Sequence, residues 1–399
     1  MTVPIKFEIH KKSKENAART GTVTTPHGSF RTPAFMPVGT RATIKGLTTS
    51  QVSATGSEII LNNAYHLMLR PGEEIIRELG GVHKFMRWDR PILTDSGGYQ
   101  AWSMADINTI DDDGVTFKSI IDGTKIRMTP ERSIEIQNKL GADIIMAFDD
   151  CPSSVEPQSQ DIARRRHALI TREGTMNATQ LETRLVQALD RTAKWLERCK
   201  RSHQRPDEQA LFGIVQGGTD FDLRTRSLEQ ICNVELPGYA IGGVAVGESS
   251  EKIQEIVKFT APKLPEEKPR YLMGVGYERD LVSAVSAGMD MFDCVLPTRN
   301  ARNAHAFTKK GPLNIRNARF ADDSGTLEDG CTCESCAKGI TRAYLRHLFM
   351  SKEMLGGILV SIHNIHHFQS LMIDIRRSIE DNSWSTLPNR WPVLNSPKA

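Results

Sequence analysis

Short apolar segments recur along this chain, and several end at a polar or glycine-rich stretch. Apolar runs of this length without alternation are typical of strands buried on both faces, as in a parallel sheet. The eight runs are PAFMPV from Pro33, EIILNN from Glu58, PILTD from Pro91, DIIMAFDD from Asp143, ALFGIVQGG from Ala210, YAIGGVAVG from Tyr239, RYLMGVG from Arg270 and MFDCVLP from Met291. Segments with helical periodicity, such as PERSIEIQNKLG and TRLVQALDRTAKWLERCK, lie between most of them.

Strands alternating with helices in this number predict an α/β fold, a (β/α)8 TIM barrel. A doubly wound open sheet is the alternative, but open sheets usually have fewer strands. The positions of the polar residues favour the barrel, because they follow the carboxyl ends of the predicted strands, where barrel enzymes build their sites. These residues are Asp95, Asp149, Gln216, Gly243 and Asp293.

Two segments do not fit the alternation of strands and helices. GVTFKSIIDGTKIRMTP, from Gly114, alternates around Asp122-Gly123 and is predicted to be an inserted hairpin. Residues from about 153 to 190 are polar and charged, which is typical of a surface excursion before a helix. The sequence assigns this insertion no function.

Composition places few limits on function. The apolar and charged fractions, 39% and 25%, are those of a soluble globular protein, and a net charge of +3 is too small to indicate nucleic acid. The first twenty residues lack the apolar run of a signal peptide, and no stretch approaches the roughly 18 apolar residues of a membrane span. We therefore expect a cytoplasmic protein with no membrane partner.

The cysteines indicate a metal site rather than disulfides. Their number, seven, is odd, and CTCESC contains Cys331, Cys333 and Cys336. A closed zinc site needs four cysteine or histidine ligands, and the downstream candidates for the fourth are His347, His363, His366 and His367. Such a site has no open position, so we expect a structural Zn²⁺. The chain would be one irregular barrel domain, 1–399, with a zinc-binding subdomain at about 305–370.

The aspartates at the predicted strand ends suggest either metal binding or glycosyl chemistry. Any one of them alone is better explained as a helix cap, but three converging with Gln216 indicate a site. Barrel metal hydrolases usually carry His-x-His after the first strand, where this chain has PVGTRAT. The stretch from Leu296 to Phe320 has six basic residues and no acid, which suits a polyanionic substrate such as nucleic acid.

At this point the sequence resembles a known family. TDSGGYQ, MAFDDC, FGIVQGG, GGVAVGE, YLMGVG, MFDCVLPTRNARN and CTCESC with a later His-Asn pair together resemble the queuine tRNA-ribosyltransferases, the tRNA-guanine transglycosylases, of bacterial type. The resemblance runs from Thr20 to about Phe368. It implies a barrel enzyme that replaces the wobble guanine of tRNAs with GUN anticodons, those for aspartate, asparagine, histidine and tyrosine, in queuosine biosynthesis.

The resemblance also implies a role for individual residues. Asp293 would be the nucleophile and Asp95 the general acid/base, as in a double displacement at one carbon. Arg299 and Arg302 would bind tRNA, and His363 would complete the zinc site with Cys331, Cys333 and Cys336. The residues implied to bind the base are Ser96, Tyr99, Asp149, Gln216, Gly243, Val244 and Met273.

Substrate and assembly are further expectations from the resemblance. The incoming base is expected to be preQ1 (guanine also being accepted) rather than queuine, and the protein is expected to be a homodimer. Asp150 and Val244 depart from the family pattern, which has Glu and Leu there. The alternatives are a non-catalytic tRNA-binding subunit, a metal-dependent hydrolase and a nucleoside hydrolase.

Overall fold

The structure is a computed structural model that describes residues 4–103, 108–154 and 177–395. Its strands are β1 (Lys6–Lys12), β2 (Arg19–Thr25), β3 (Gly28–Thr32), β4 (Ala34–Gly39), β5 (Ile60–Asn62), β6 (Ile92–Thr94), β7 (Asn108–Asp111), β8 (Gly114–Lys118), β9 (Lys125–Met128), β10 (Ile144–Met146), β11 (Ala210–Val215), β12 (Gly238–Ile241), β13 (Arg270–Leu272), β14 (Met291–Cys294), β15 (His305–Ala306) and β16 (Leu313–Asn314).

Its helices are α1 (Thr49–Ala54), α2 (Ala64–Leu69), α3 (Glu73–Glu78), α4 (Gly81–Met86), α5 (Gly98–Ser103), α6 (Pro130–Leu140), α7 (Ala178–Ser202), α8 (Phe221–Cys232), α9 (Ser250–Thr260), α10 (Glu278–Ser286), α11 (Leu296–Arg302), α12 (Glu334–Ala337), α13 (Arg342–Met350), α14 (Met354–Glu380) and α15 (Leu387–Arg390). Short 3-10 helices cover Ala261–Lys263, Ala318–Phe320, Trp384–Thr386 and Pro392–Asn395. In this described part of the chain, no helix is both long and apolar enough to cross a membrane.

The eight predicted apolar runs all form strands of one closed parallel barrel. β4, β5, β6 and β10 to β14 pair in chain order, and β14 pairs with β4 to close the ring. The predicted (β/α)8 barrel is confirmed. The open doubly wound sheet is wrong, because its first and last strands would leave unpaired edges.

Each barrel strand divides its side chains between two apolar cores. In β11, Phe212 and Ile214 belong to the cluster inside the barrel, whereas Leu211 and Val215 face the outer helices. This period of two explains why the runs look continuously apolar, since both faces are buried. Polar side chains are then left for the strand ends.

The N-terminal antiparallel sheet closes one end of the barrel. β1, β2 and β3 pair in order, and their Val23 and Phe30 belong to the same apolar cluster as the barrel interior. The turn between β2 and β3 contacts Asp143, just before β10, so the sheet covers the amino-terminal end of the strands. The opposite, carboxyl-terminal end stays available for a site.

The predicted hairpin from Gly114 is confirmed as the antiparallel pair of β8 and β9. A third strand, β7, joins it and was missed. Helix α7 begins at Ala178 with Asn177 as its cap, so the polar stretch predicted over 153–190 ends earlier than expected. Residues 155–176 of that stretch lie outside the described part of the chain.

Helix α14 connects distant parts of the molecule. It is separated from α13 by Ser351, Lys352 and Glu353. Further along α14, the Gln369 amide donates a hydrogen bond of 2.9 Å to the carbonyl of Phe35 in β4. The last long helix therefore packs against the first strand of the barrel.

Candidate active site and metal centre

Asp95 follows β6 at the carboxyl-terminal mouth of the barrel and is almost fully buried. The Ala64 amide donates to its Oδ1 over 2.8 Å, and the Asn63 side chain donates to Oδ2. Burial raises the pKa of Asp95 to about 6, and the nearby charge of Asp293 contributes in the same direction. Asp95 can therefore take up and release a proton near neutral pH.

Asp293 lies in β14, in register with the inward-facing residues of that strand. The Tyr271 hydroxyl donates to its Oδ1 over 2.6 Å, and the Gly274 amide donates to the same oxygen over 2.8 Å. Burial raises the pKa of Asp293 above its usual range, whereas these two hydrogen bonds stabilise its charged form. The two donors also fix the orientation of the carboxylate.

A third carboxylate, Asp149, lies beyond β10 on the same mouth. Gln216, directly after β11, donates from Nε2 to Asp149 Oδ2 over 2.7 Å, and the Ser96 hydroxyl lies 3.5 Å from Oδ1. Burial raises the pKa of Asp149 to about 7. The structure thus brings together the predicted residues Ser96, Asp149 and Gln216 as one hydrogen-bonded group.

Gly243 adjoins this group, and its conformation requires glycine. Its φ is +64°, and a Cβ atom there would lie 2.4 Å from Gln216 Oε1. Its carbonyl accepts a 3.2 Å hydrogen bond from Arg224, which is fully buried in α8. Val244, the next residue, is only 1% exposed, so its side chain packs into the core.

Asp150 is oriented by two arginines rather than by the group of Asp149 and Gln216. Arg184 contacts both of its carboxylate oxygens, at 2.8 and 2.7 Å, and Arg191 contacts Oδ2 at 2.5 Å. Both arginines belong to α7, so Asp150 anchors this helix to the mouth of the barrel.

The remaining predicted residues lie around the mouth. Tyr99 is the second residue of α5 and is 37% exposed, and Met273 is half-buried directly after β13. Arg299 and Arg302 are exposed on α11, which begins three residues after Asp293. The helix that follows Asp293 therefore exposes two cationic side chains.

The three cysteines of CTCESC and His363 converge in the C-terminal part of the chain. His363 Nδ1 lies 3.6 Å from the Cys331 sulfur and 3.5 Å from those of Cys333 and Cys336. A tetrahedral zinc ion with ordinary bond lengths would hold nitrogen and sulfur about 3.6 Å apart. His363 Nε2 donates to the Phe307 carbonyl over 2.8 Å, which leaves Nδ1 for the metal. This cluster can hold a metal ion.

The other three candidate histidines lie outside the cluster. His366 contacts Thr332, and His367 forms a buried 2.8 Å pair with Glu278. His347 stacks on Tyr344 in α13. The spacing alone left the fourth ligand open, and the path of α14 selects His363.

Several contributing residues escaped sequence analysis. Asn63 ends the run EIILNN, so the rule that places polar residues at strand ends would have identified it. In the sequence, Tyr271 looks like an ordinary core residue of RYLMGVG. Only the structure shows that its side chain faces the barrel interior, where its hydroxyl donates to Asp293. Arg224 in α8 carries no local signal, because its partners are backbone carbonyls of loops after β11 and β12.

The fold and the site together define a barrel enzyme. Three carboxylates lie at its mouth, and a cluster of three cysteines and one histidine can hold a metal ion. A sequence model of the queuine tRNA-ribosyltransferases matches residues 13–180 and 169–392. The chain belongs to this family.

Relatives match almost end to end. The queuine tRNA-ribosyltransferase of Streptococcus suis is 47% identical over 381 residues, covering 96% of this chain and 94% of the relative. That of Desulforamulus reducens is 48% identical over 380 residues, covering 95% and 96%. That of Bacillus subtilis is 46% identical over 379 residues, covering 95% and 93%.

Proposed function

We propose that this protein is a tRNA-guanine transglycosylase that exchanges the wobble guanine of GUN-anticodon tRNAs for preQ1. The observation that carries the proposal is the pair of carboxylates at the mouth, Asp95 and Asp293, placed next to the hydrogen-bonded group of Asp149 and Gln216. The first pair suits glycosyl transfer, and the second group suits recognition of a purine edge.

In the first displacement, Asp293 attacks C1′ of the ribose. Tyr271 and Gly274 both donate to Oδ1, which favours Oδ2 as the oxygen that forms the new bond. The bond from C1′ to the guanine nitrogen breaks, and Asp95 supplies the proton that neutralises the leaving base. The ribose is then esterified to Asp293.

In the second displacement, the incoming base returns the proton. Asp95, now ionised, removes the proton from the ring nitrogen, which attacks C1′ and releases Asp293. A pKa of about 6 lets the same group act in both directions near neutral pH. Two inversions at one carbon retain its configuration.

The base binds against Asp149, Gln216 and Gly243. The Asp149 carboxylate accepts from N1–H and the exocyclic amine, a pair of donors that guanine and preQ1 share. Tyr99 and Met273 flank the ring, which replaces the stacking lost when the base leaves the anticodon loop. Ser96 orients the carboxylate, and Val244 supports the loop behind Gly243 through buried packing.

The preference for preQ1 rests on the loop after β12. Glu248 accepts from the Val246 amide over 2.6 Å and from the Ser154 hydroxyl over 2.5 Å, which fixes this loop. Val246 is buried, and its side chain leaves less room for queuine's cyclopentenediol than a smaller residue would. Initial rates with preQ1 and queuine as competing bases test this preference directly.

Zinc is the metal that best suits three thiolates and one imidazole, and its role is structural. It would join the CTCESC loop to α14, without taking part in base exchange. Cys333→Ser should lose the metal and fold poorly. A metal-free protein that stayed folded and active would contradict the structural role.

We further propose that the protein is a cytoplasmic homodimer, one subunit catalysing while the other orients the tRNA. Light scattering at micromolar concentration should give twice the mass of the chain. A monomer with full activity would contradict this assembly.

The deciding experiment measures incorporation of radiolabelled guanine into an unmodified tRNA with a GUN anticodon. The wild type should incorporate label, and Asp293→Asn should not. A tRNA with the wobble guanosine replaced serves as the substrate control. Loss of guanine without incorporation would indicate a nucleoside hydrolase, and an intact tRNA that binds without exchange would indicate a non-catalytic subunit.

A further inference from the structure

A second group of metal-ligand side chains lies at the end of the barrel opposite the active site. His27, in the turn between β2 and β3, places Nδ1 2.8 Å from Asp143 Oδ1. His83, in α4, places Nε2 3.1 Å from Asp143 Oδ2. The two imidazole rings stack with their centroids 3.6 Å apart. One carboxylate is thus shared by two histidines from separate elements.

The composition and burial of this group suit a metal ion. Asp143 is completely buried and His83 is 8% exposed, whereas the His27 side chain is 42% exposed and open to solvent. One ligand atom of each residue lies within 4.8 Å of those of the other two. Nitrogen and oxygen ligands of one tetrahedral zinc ion are about 3.4 Å apart. The distances found here, 2.8 and 3.1 Å, are those of hydrogen bonds, so each pair must separate by a few tenths of an ångström for an ion to bind between them.

We propose that His27, His83 and Asp143 form a binding site for a divalent transition metal such as Zn²⁺, separate from the Cys3His cluster. Two neutral imidazoles and one carboxylate are a donor set that this class of ions prefers. Metal binding requires each histidine nitrogen that faces Asp143 to be unprotonated, so a neutral imidazole carries its proton on the other ring nitrogen and a protonated one releases a proton to water. The His27 ring must also tilt out of its stack on His83 for its nitrogen to face the same ion. Water from the exposed side completes the coordination.

The consequence of metal binding is a link between three parts of the fold. His27 belongs to the sheet that covers the amino-terminal end of the barrel, His83 to an outer helix, and Asp143 to the entry of β10. The Asp143 side chain also accepts from the backbone amides of His27 and Ile92, so its position is fixed before a metal arrives. Arg205 is a nearby positive charge, so a metal ion must bind here against its electrostatic repulsion.

The test compares the protein as purified with the same protein after Zn²⁺ addition and gel filtration. Elemental analysis should find one more zinc per chain in the wild type, and none more in His27→Ala. His10→Ala is the matched control, because His10 is on the same small sheet and contacts Thr22 rather than Asp143. It should retain the extra zinc. Circular dichroism shows whether each variant is folded, and His27→Asn provides a second, polar replacement.

Two further measurements identify the ligands. Added Co²⁺ should give visible absorption without a thiolate charge-transfer band, since no sulfur is in this group. The metal affinity of His27→Asn should be lower by at least about tenfold. Failure of the wild type to retain extra metal would overturn the proposal. Equal loss or equal retention in His10→Ala and His27→Ala would overturn it as well.

Discussion

Replacing Asp149 by Asn should stabilise the folded protein while removing its activity. Burial raises the pKa of this carboxyl from 3.8 to about 7, so the unfolded chain releases a proton that the folded chain retains. The folded state therefore loses stability as pH rises from about 4 to about 7, and the loss is complete above that range. Asn carries no charge and keeps an oxygen that can accept from Gln216.

The size of the effect follows from the same shift. A change from 3.8 to about 7 corresponds to about 4 kcal/mol above pH 7, but to less than half of that at pH 5. Urea unfolding of wild type and Asp149→Asn should therefore give a difference in unfolding free energy that grows by up to about 3 kcal/mol between pH 5 and pH 8.5.

The exposed Asp322 provides a control, because its replacement by Asn should change stability by less than about 0.5 kcal/mol at either pH. Guanine incorporation by Asp149→Asn should fall to background, since an amide cannot accept two hydrogen bonds from the purine edge through charged oxygens. A stability difference that does not change with pH would refute the assignment of a buried, proton-binding Asp149.

Three other substitutions test separate parts of the site. Tyr271→Phe removes one hydrogen-bond donor to Asp293. It should lower kcat about 10-fold to 100-fold with little change in the KM for guanine. A change confined to KM would contradict a positioning role for Tyr271. Gly243→Ala places a methyl group against Gln216 and should raise the KM for the base in steady-state assays, whereas unchanged kinetics would show that the loop can move. Arg302→Ala should weaken tRNA binding and reduce the salt dependence of log Kd by about one, measured by filter binding, and an unchanged slope would argue against a phosphate contact.

The barrel could be predicted because its signals are local. Each strand is a short apolar run, and several end at a polar or glycine-rich stretch, as Asp95, Gln216 and Asp293 illustrate. The same logic missed β7, because its sequence NTID has no continuous apolar run and its Thr109 and Asp111 are exposed. Short edge strands added to a hairpin depend on their neighbour more than on their own sequence.

The supporting contacts of the site could not be predicted, because they join residues far apart in the chain. Asp150 meets Arg184 and Arg191 only after α7 has packed beside the barrel. His363 is chosen among four histidines by the direction of α14 and by its bond to the Phe307 carbonyl. Periodicity and motif spacing carry no information about such pairings.

The contact between α14 and β4 has a consequence for synthesis on the ribosome. β4 emerges early, but the Phe35 carbonyl meets Gln369 only after more than three hundred further residues have been added. At roughly 5–20 residues per second, the delay is roughly 20–70 s. During this interval β4 can pair with β5, but its other edge lacks β14 and its outer face lacks the C-terminal helix that covers it. The growing chain therefore presents an unpaired apolar strand edge to chaperones for most of its translation.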